Sequence, residues 1–167
     1  MNPISLRSVI PDDWPVILGW LRQPHLAASW SPATTIYQEL QAHHQEDMRI
    51  ISHHATPIGI VCWQTPTAAE LSEAGLSDLP AGLIDIDIMI GDSKYLYQGH
   101  GTRALTLVIE QLWSQGVTWI GLATQTANTP ALRSFTKVGC SPFREFVENG
   151  QQYVYLTLGS KIITLKR

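Results

Sequence analysis

Charge is scarce in this chain. Asp, Glu, Lys and Arg make up 15% of its 167 residues, and 14 acidic residues outnumber 11 basic ones for a net charge of −3 with histidine neutral. A nucleic-acid binder needs a basic stripe facing phosphates, and none is present. Long apolar runs are also missing. A membrane helix needs about 20 consecutive apolar residues, so no membrane partner is expected. Cysteine is reduced to Cys62 and Cys140, far apart and in no zinc or redox spacing. That excludes a disulfide framework and a cysteine metal site, and leaves two free, buried thiols as the expectation. Met1 to Ile10 lacks a basic start followed by an apolar stretch, so a secretory signal is not expected and a cytoplasmic location is.

What is present is apolar. Hydrophobic residues reach 44%, which excludes a disordered chain and suits one domain spanning residues 1–167. Ile4 to Ile10 reads as a strand. Pro11-Asp12-Asp13 then reads as a helix start, because proline suits the first turn and carboxylates favour the positive end of the helix dipole. Trp14, Ile17, Leu18 and Leu21 form its apolar face. A second helix is predicted from about Thr34 to Asp47. Arg49 to Ser52 and Ile58 to Gln64 read as strands. Residues 65–82, rich in Pro, Gly, Ala, Ser and acids, read as a long irregular loop over a site.

Ile84 to Ile90 is the clearest strand. Alternation puts four isoleucines on one face and Asp85, Asp87 and Met89 on the other. A helix with Leu105, Val108, Ile109 and Leu112 on one stripe follows Gly99-His100-Gly101. Val117 to Thr124 reads as a strand. Asn128 to Val138 reads as a helix ended by Gly139. Phe143 to Val147 and Tyr153 to Leu158 read as a hairpin turning at Asn149-Gly150. The order fits an α/β fold, a mixed sheet flanked by helices.

Chemistry concentrates in two places. Tyr97-Gln98-Gly99-His100-Gly101-Thr102 opens a helix whose first N–H groups lack partners and carry partial positive charge. Glycines there let a phosphate come close to the backbone. The glycines alone do not separate this reading from a loop that holds nothing. The second place is the pair Asp85 and Asp87. Strands disfavour aspartate, so two in one strand call for an explanation beyond two solvent-facing side chains.

Leu96-Tyr97-Gln98-Gly99-His100-Gly101 resembles the Gln/Arg-x-x-Gly-x-Gly/Ala motif of the GNAT superfamily of acetyl-coenzyme A-dependent N-acetyltransferases, with Leu96 departing from its first position. Asn128 to Cys140 resembles that family's Asn-x-x-Ala-x-x-x-Tyr-x-Lys-x-Gly-Phe, with Phe135 in place of Tyr and Cys140 in place of Phe. Trp20-Leu21, His25 and Trp30, with Glu70, Glu73, Asp78 and Ile86-Asp87, are similar to the bacterial aminoglycoside 6′-N-acetyltransferases. The resemblance covers about residues 4–158.

It implies a mostly antiparallel mixed sheet with splayed central strands, and acetyl-coenzyme A as co-substrate without a metal. Backbone groups near Met89 and Ile90 would hold the pantetheine arm. Backbone N–H groups of Gln98, Gly99, His100, Gly101, Thr102 and Arg103 would bind the pyrophosphate. Asn128 would bond the arm, and Phe135 would pack near the sulfur. Asp87, at the family-aligned position, would hold the acceptor ammonium and help remove its proton, with Asp85 one strand step away. Trp30 would line the acceptor pocket. The expected reaction is direct transfer of acetyl to the amine of a small cationic acceptor, aminoglycoside- or polyamine-like. Phe135 has no hydroxyl to protonate a leaving thiolate, so a coenzyme-binding sensor or degenerate enzyme is the alternative, beside a siderophore or peptide-terminus acyltransferase. Relatives of this kind include homodimers. The doublets His43-His44 and His53-His54 read as surface histidines. The tail from Lys161 to Arg167 reads as an extra strand or a chain end.

Overall fold

The computed structural model describes residues 2–161, so all but the first residue of the tail from Lys161 to Arg167 lies outside it. The element order is β1 (Ile4–Arg7), α1 (Asp13–Leu21), α2 (Ala33–Ala42), β2 (Met48–His53), β3 (Thr56–Gln64), α3 (Ala68–Glu73), β4 (Ile84–Ile90), α4 (His100–Ser114), β5 (Trp119–Gln125), α5 (Thr129–Lys137), β6 (Ser141–Glu148) and β7 (Gln151–Gly159). The strands hydrogen-bond in the order β1-β2-β3-β4-β5-β7-β6. Every registered pairing is antiparallel except that of β4 with β5. Two compact units divide the chain: residues 1–62 with 88–105, and residues 63–87 with 106–167.

The first unit is built where α1 and α2 cover the sheet. The stripe expected on α1 buries Ile17 and Leu21, which join Leu40, Met48, Ile50, Ile60 and Met89 in one apolar cluster. Each such side chain contributes roughly 1.5–3 kcal/mol on burial. Met89 shares a strand face with Asp85 and Asp87, yet it is buried, because this cluster covers that face at its end of β4. Strand β1 is shorter than Ile4–Ile10 because the chain turns into α1: Asp13 accepts a hydrogen bond from the Ile10 amide (2.8 Å) and two from the Arg7 guanidinium (2.7 Å each). Helix α2 is also shorter than expected, giving way to a 3₁₀ turn at Gln45–Asp47.

In the second unit β7 lies between β5 and β6. The hairpin turn has positive φ at Asn149 (48°) and Gly150 (75°), as a type I′ turn requires. The pairing of β4 with β5 covers only Ile84↔Ile120 and Asp85↔Gly121, although each strand has seven residues. Residues 65–82 are not wholly irregular. Thr67 and Glu70 form a capping box that starts α3, the Glu70 amide donating to Thr67 Oγ1 (3.2 Å) and the Thr67 amide to Glu70 Oε2 (2.8 Å). The Thr-x-x-Glu spacing was the available signal. Helix α5 ends as expected, with the Cys140 amide on the Phe135 carbonyl and the Gly139 amide on that of Thr136.

Asp13 is a buried carboxylate whose proton affinity is lowered first by its bond to Arg7. Its contribution is therefore present above the unfolded carboxylate range, near pH 4, and is lost as pH falls below it. Asp13→Asn is expected to cost about 1–3 kcal/mol at pH 7 by denaturant titration, and to shrink the stability lost between pH 5 and 3.

Candidate active site

In the first unit, the start of α4 is the polar feature. Tyr97 and Gly99 take positive φ (60° and 80°), which turns the chain into the helix. The first backbone bond of the turn runs from the Arg103 amide to the Gly99 carbonyl (3.0 Å). The amides of His100 and Gly101 come before it, so the helix offers them no acceptor. A Cβ on Gly101 would meet only Ile90 Cγ1, at 3.8 Å, so the approach to the backbone is open. Gln98 turns its side chain back on its own loop, donating to the Lys94 carbonyl (2.6 Å). Arg103 Nε and His100 Nε2 are buried without a hydrogen-bond partner among the described residues. Thr102 is half-buried.

His100 does not simply face solvent. Its ring lies 4.9 Å from that of His53 and 5.9 Å from that of Tyr95, and His53 also touches His54 (4.6 Å). Burial, and then the neighbouring His53, lower the proton affinity of His100. The His53-His54 doublet is thus half a packed aromatic group, formed because the β2–β3 turn carries it.

Of the residues expected along the pantetheine arm, Met89 directs its carbonyl at Gly59 of β3, and Ile90 directs its carbonyl at His25, whose Nε2 donates across 2.9 Å. Trp20 lies against Gly91, where any Cβ would overlap its ring. Trp30 packs on the apolar cluster of this unit.

The second unit carries the acidic feature. Asp87 is exposed and Asp85 half-buried. The Tyr155 hydroxyl donates to Asp85 Oδ1. Register puts Asp85 beside Gly121, and Ala123 beside Tyr155, so these four share a face. Gly121 is why the pair can meet: a Cβ there would overlap the Tyr155 hydroxyl and crowd Asp85 Oδ1. Burial raises the proton affinity of Asp85 against the lowering effect of Tyr155's bond, and Glu70's charge adds to the rise. Tyr155 is pushed well above the ordinary phenol range by burial and then by Asp85's charge. Tyr155 and Gly121 were missed in the sequence. A glycine inside a strand pattern was a signal of close approach, but nothing local names its occupant.

Asn128 caps α5, its Oδ1 accepting from the Ala131 amide (3.3 Å). Phe135 is buried on that helix. Both cysteines are free and buried, and burial pushes the Cys140 thiol up to about 11, which keeps it from acting as a nucleophile. Among the described residues no cluster of His, Cys, Asp or Glu could hold a metal, and no helix is long and apolar enough to cross a membrane.

A strand, a Gly-x-Gly turn and a helix, followed by a strand and an Asn-capped helix, match the model of the acetyltransferase (GNAT) domain over residues 9–147. The chain belongs to the GNAT acetyltransferases. It is an acetyl-coenzyme A-dependent acyltransferase of that family. No curated protein matches its sequence. Solved structures share its fold. The aminoglycoside acetyltransferase AAC(6′)-Ib in complex with coenzyme A and kanamycin is 19% identical, with TM-score 0.78 and 98% and 99% of the two chains covered. The aminoglycoside N(6′)-acetyltransferase of Legionella pneumophila is 15% identical (TM-score 0.76, 100% and 98%). The ribosomal-protein-S5-alanine acetyltransferase of Vibrio fischeri is 15% identical (TM-score 0.71, 96% and 95%).

A histidine whose folded pKa lies below its unfolded value makes its full contribution above that unfolded value, near 6.5, and loses it as pH falls from there through the lower folded pKa. His100→Asn is therefore expected to flatten the fall in Tm of this GNAT domain between pH 7.5 and 5.5, measured by thermal unfolding. An unchanged slope would place the sensitivity elsewhere.

Proposed function

We propose that the chain acts as one catalytic domain that transfers acetyl from acetyl-coenzyme A to an amine of a small cationic acceptor by direct attack. The observation that carries this reading is a single strand: β4 presents the exposed Asp87 and runs on, through one loop, into the open amides of His100 and Gly101. Those amides suit a pyrophosphate, because a helix N-terminus with no Cβ in the way is a ready anion site. Gln98, Gly99, Thr102 and Arg103 complete the turn, and Asn128, Phe135 and Ile90 are assigned to the arm and thioester.

Asp87 is assigned to the acceptor ammonium. An exposed carboxylate attracts a cation without a large desolvation cost. The structural neighbours named as aminoglycoside acetyltransferases support an aminoglycoside- or polyamine-like acceptor. Phe135 leaves the departing thiolate without a tyrosine proton, and a thiol with a pKa of about 8.5 can take one from water. Chemistry therefore does not require the missing hydroxyl.

Thiol release from acetyl-coenzyme A is the test, against aminoglycosides, polyamines, amino acids and short peptides. Turnover is expected with a cationic small amine. Asp87→Asn is expected to raise the acceptor KM about tenfold, the equivalent of losing roughly 1.4 kcal/mol of charge-assisted binding, with the acetyl-coenzyme A KM unchanged. Coenzyme binding without turnover on any amine would favour the sensor reading that Phe135 motivates. Turnover on peptides alone would favour a peptide-terminus acyltransferase.

A further inference from the structure

A side chain from outside the sheet occupies the end of β4. Along a strand the backbone groups alternate: those of one residue face one neighbour, and those of the next face the other. The residues on either side of Ile90 face β3, since the Met89 carbonyl lies against Gly59 and the Gly91 amide donates to the Ile58 carbonyl (2.8 Å). Ile88 and Ile90 therefore turn their backbone groups to the opposite edge. There the Ile90 carbonyl accepts from His25 Nε2 (2.9 Å). A carbonyl only accepts, so Nε2 carries a proton. The histidine is held in place. It sits in a 3₁₀ turn, Pro24–Leu26, and Leu26 is buried in the apolar cluster with Trp20 and Met89. Trp20 itself lies against Gly91. The short stretch from Trp20 to Leu26 thus grips both Ile90 and Gly91.

We propose that His25 is a positioning residue for the coenzyme: it closes the Ile90 carbonyl to the pantetheine arm, so that the arm finds its backbone acceptor at Ile88 and the thioester is set in a single register. This rests on the acyl-transfer reading above. The arm is an extended chain with amide groups, and such a chain binds a strand edge through the edge's own backbone groups. A bare edge repeats every two residues, about 7 Å. Reacting atoms must come within about 3–3.5 Å of each other, so only one of those registers delivers the acetyl group to the amine. Strand β4 has registered partners in β5 only at Ile84 and Asp85, and β5 therefore supplies no stop further along. His25 supplies one from outside the sheet. Ile90 then serves the arm through its amide alone.

The consequence is kinetic. With His25 in place, an arm that slides one register outward must compete with Nε2 for the Ile90 carbonyl. Without that donor, the slipped register binds as well as the productive one. Slipped coenzyme is bound but idle. Idle binding lowers kcat and the acetyl-coenzyme A KM by the same factor and leaves kcat/KM where it was. Losing a residue that merely props the strand, or that touches the coenzyme itself, lowers kcat/KM instead. Glutamine tests the donor directly: its side-chain nitrogen lies about as far from the backbone as Nε2, whereas that of asparagine falls short.

The experiment is steady-state thiol release by the full chain with its best amine, at varied acetyl-coenzyme A, for wild type, His25→Asn, His25→Ala and His25→Gln, each checked for an intact thermal transition. In His25→Asn and His25→Ala, kcat and the acetyl-coenzyme A KM are expected to fall together by about threefold, the effect of one hydrogen bond, with kcat/KM unchanged. His25→Gln is expected to keep the wild-type values. A lowered kcat/KM or an unchanged kcat in the variants without the donor overturns the assignment and leaves the acyl-transfer reading intact. So does a His25→Gln enzyme that behaves like His25→Asn. Loss of the thermal transition in both His25→Asn and His25→Ala overturns it as well, because His25 would then hold the fold rather than the register. A wild-type chain that releases no thiol with any amine overturns both readings.

Discussion

Strand β4 is approached so closely that side chains must be absent from the points of contact, and the rest of the structure depends on this. At Gly121 a single added carbon would occupy the space of the Tyr155 hydroxyl and press on Asp85. At Gly91 it would collide with the ring of Trp20. Neither glycine has a positive φ, so backbone freedom does not explain them. Missing volume does. Filling it would push away the group that orients Asp85, or the indole that seals the end of the strand. Protein interiors do not absorb such shifts without cost, since they are packed as densely as organic crystals.

Scarcity of charge makes each placed charge informative. Arg7 and Asp13 spend theirs on joining β1 to α1. Arg144 grips Asp78 with both guanidinium ends (2.5 and 2.8 Å), donates to the Gly75 carbonyl (2.8 Å) and lies over Phe143. That pins the segment after α3 to β6, although exposure makes the ion pair itself worth little. Asp78, one of the acids of residues 65–82, has its charge matched by Arg144.

Much of the fold was legible because its signals are local. The alternation of Ile84–Ile90, the apolar stripe of α4, the Gly139 cap and the Asn149-Gly150 turn each follow from a few consecutive residues. The α4 turn was legible for the same reason, since glycine, helix start and orphan amides all lie within six positions. What was not legible was non-local. Tyr155 stands 70 positions from Asp85, and His25 stands 65 positions from the Ile90 carbonyl it binds. The partner of a strand glycine, or of a histidine doublet, depends on which strands become neighbours, and no short pattern states that. Met89 shows the same limit: period two assigns its face correctly, while burial of that face depends on α1 and α2.

The different surroundings of Asp85 and Asp87 follow from a general conflict. A carboxylate that loses its water is destabilised by the charge it carries unless a donor replaces that water. Desolvation raises the proton affinity of Asp85, and the hydrogen bond from the Tyr155 hydroxyl opposes the rise. Asp87, two positions on and on the same face, is exposed. Alternate positions of one strand therefore present one shielded and one exposed carboxylate. Gly121 is the condition for the shielded one, because only a residue without a side chain leaves the Tyr155 hydroxyl room to reach Asp85. A change at Gly121 would thus act on Asp85 through the donor it displaces and leave the exposed Asp87 as it is.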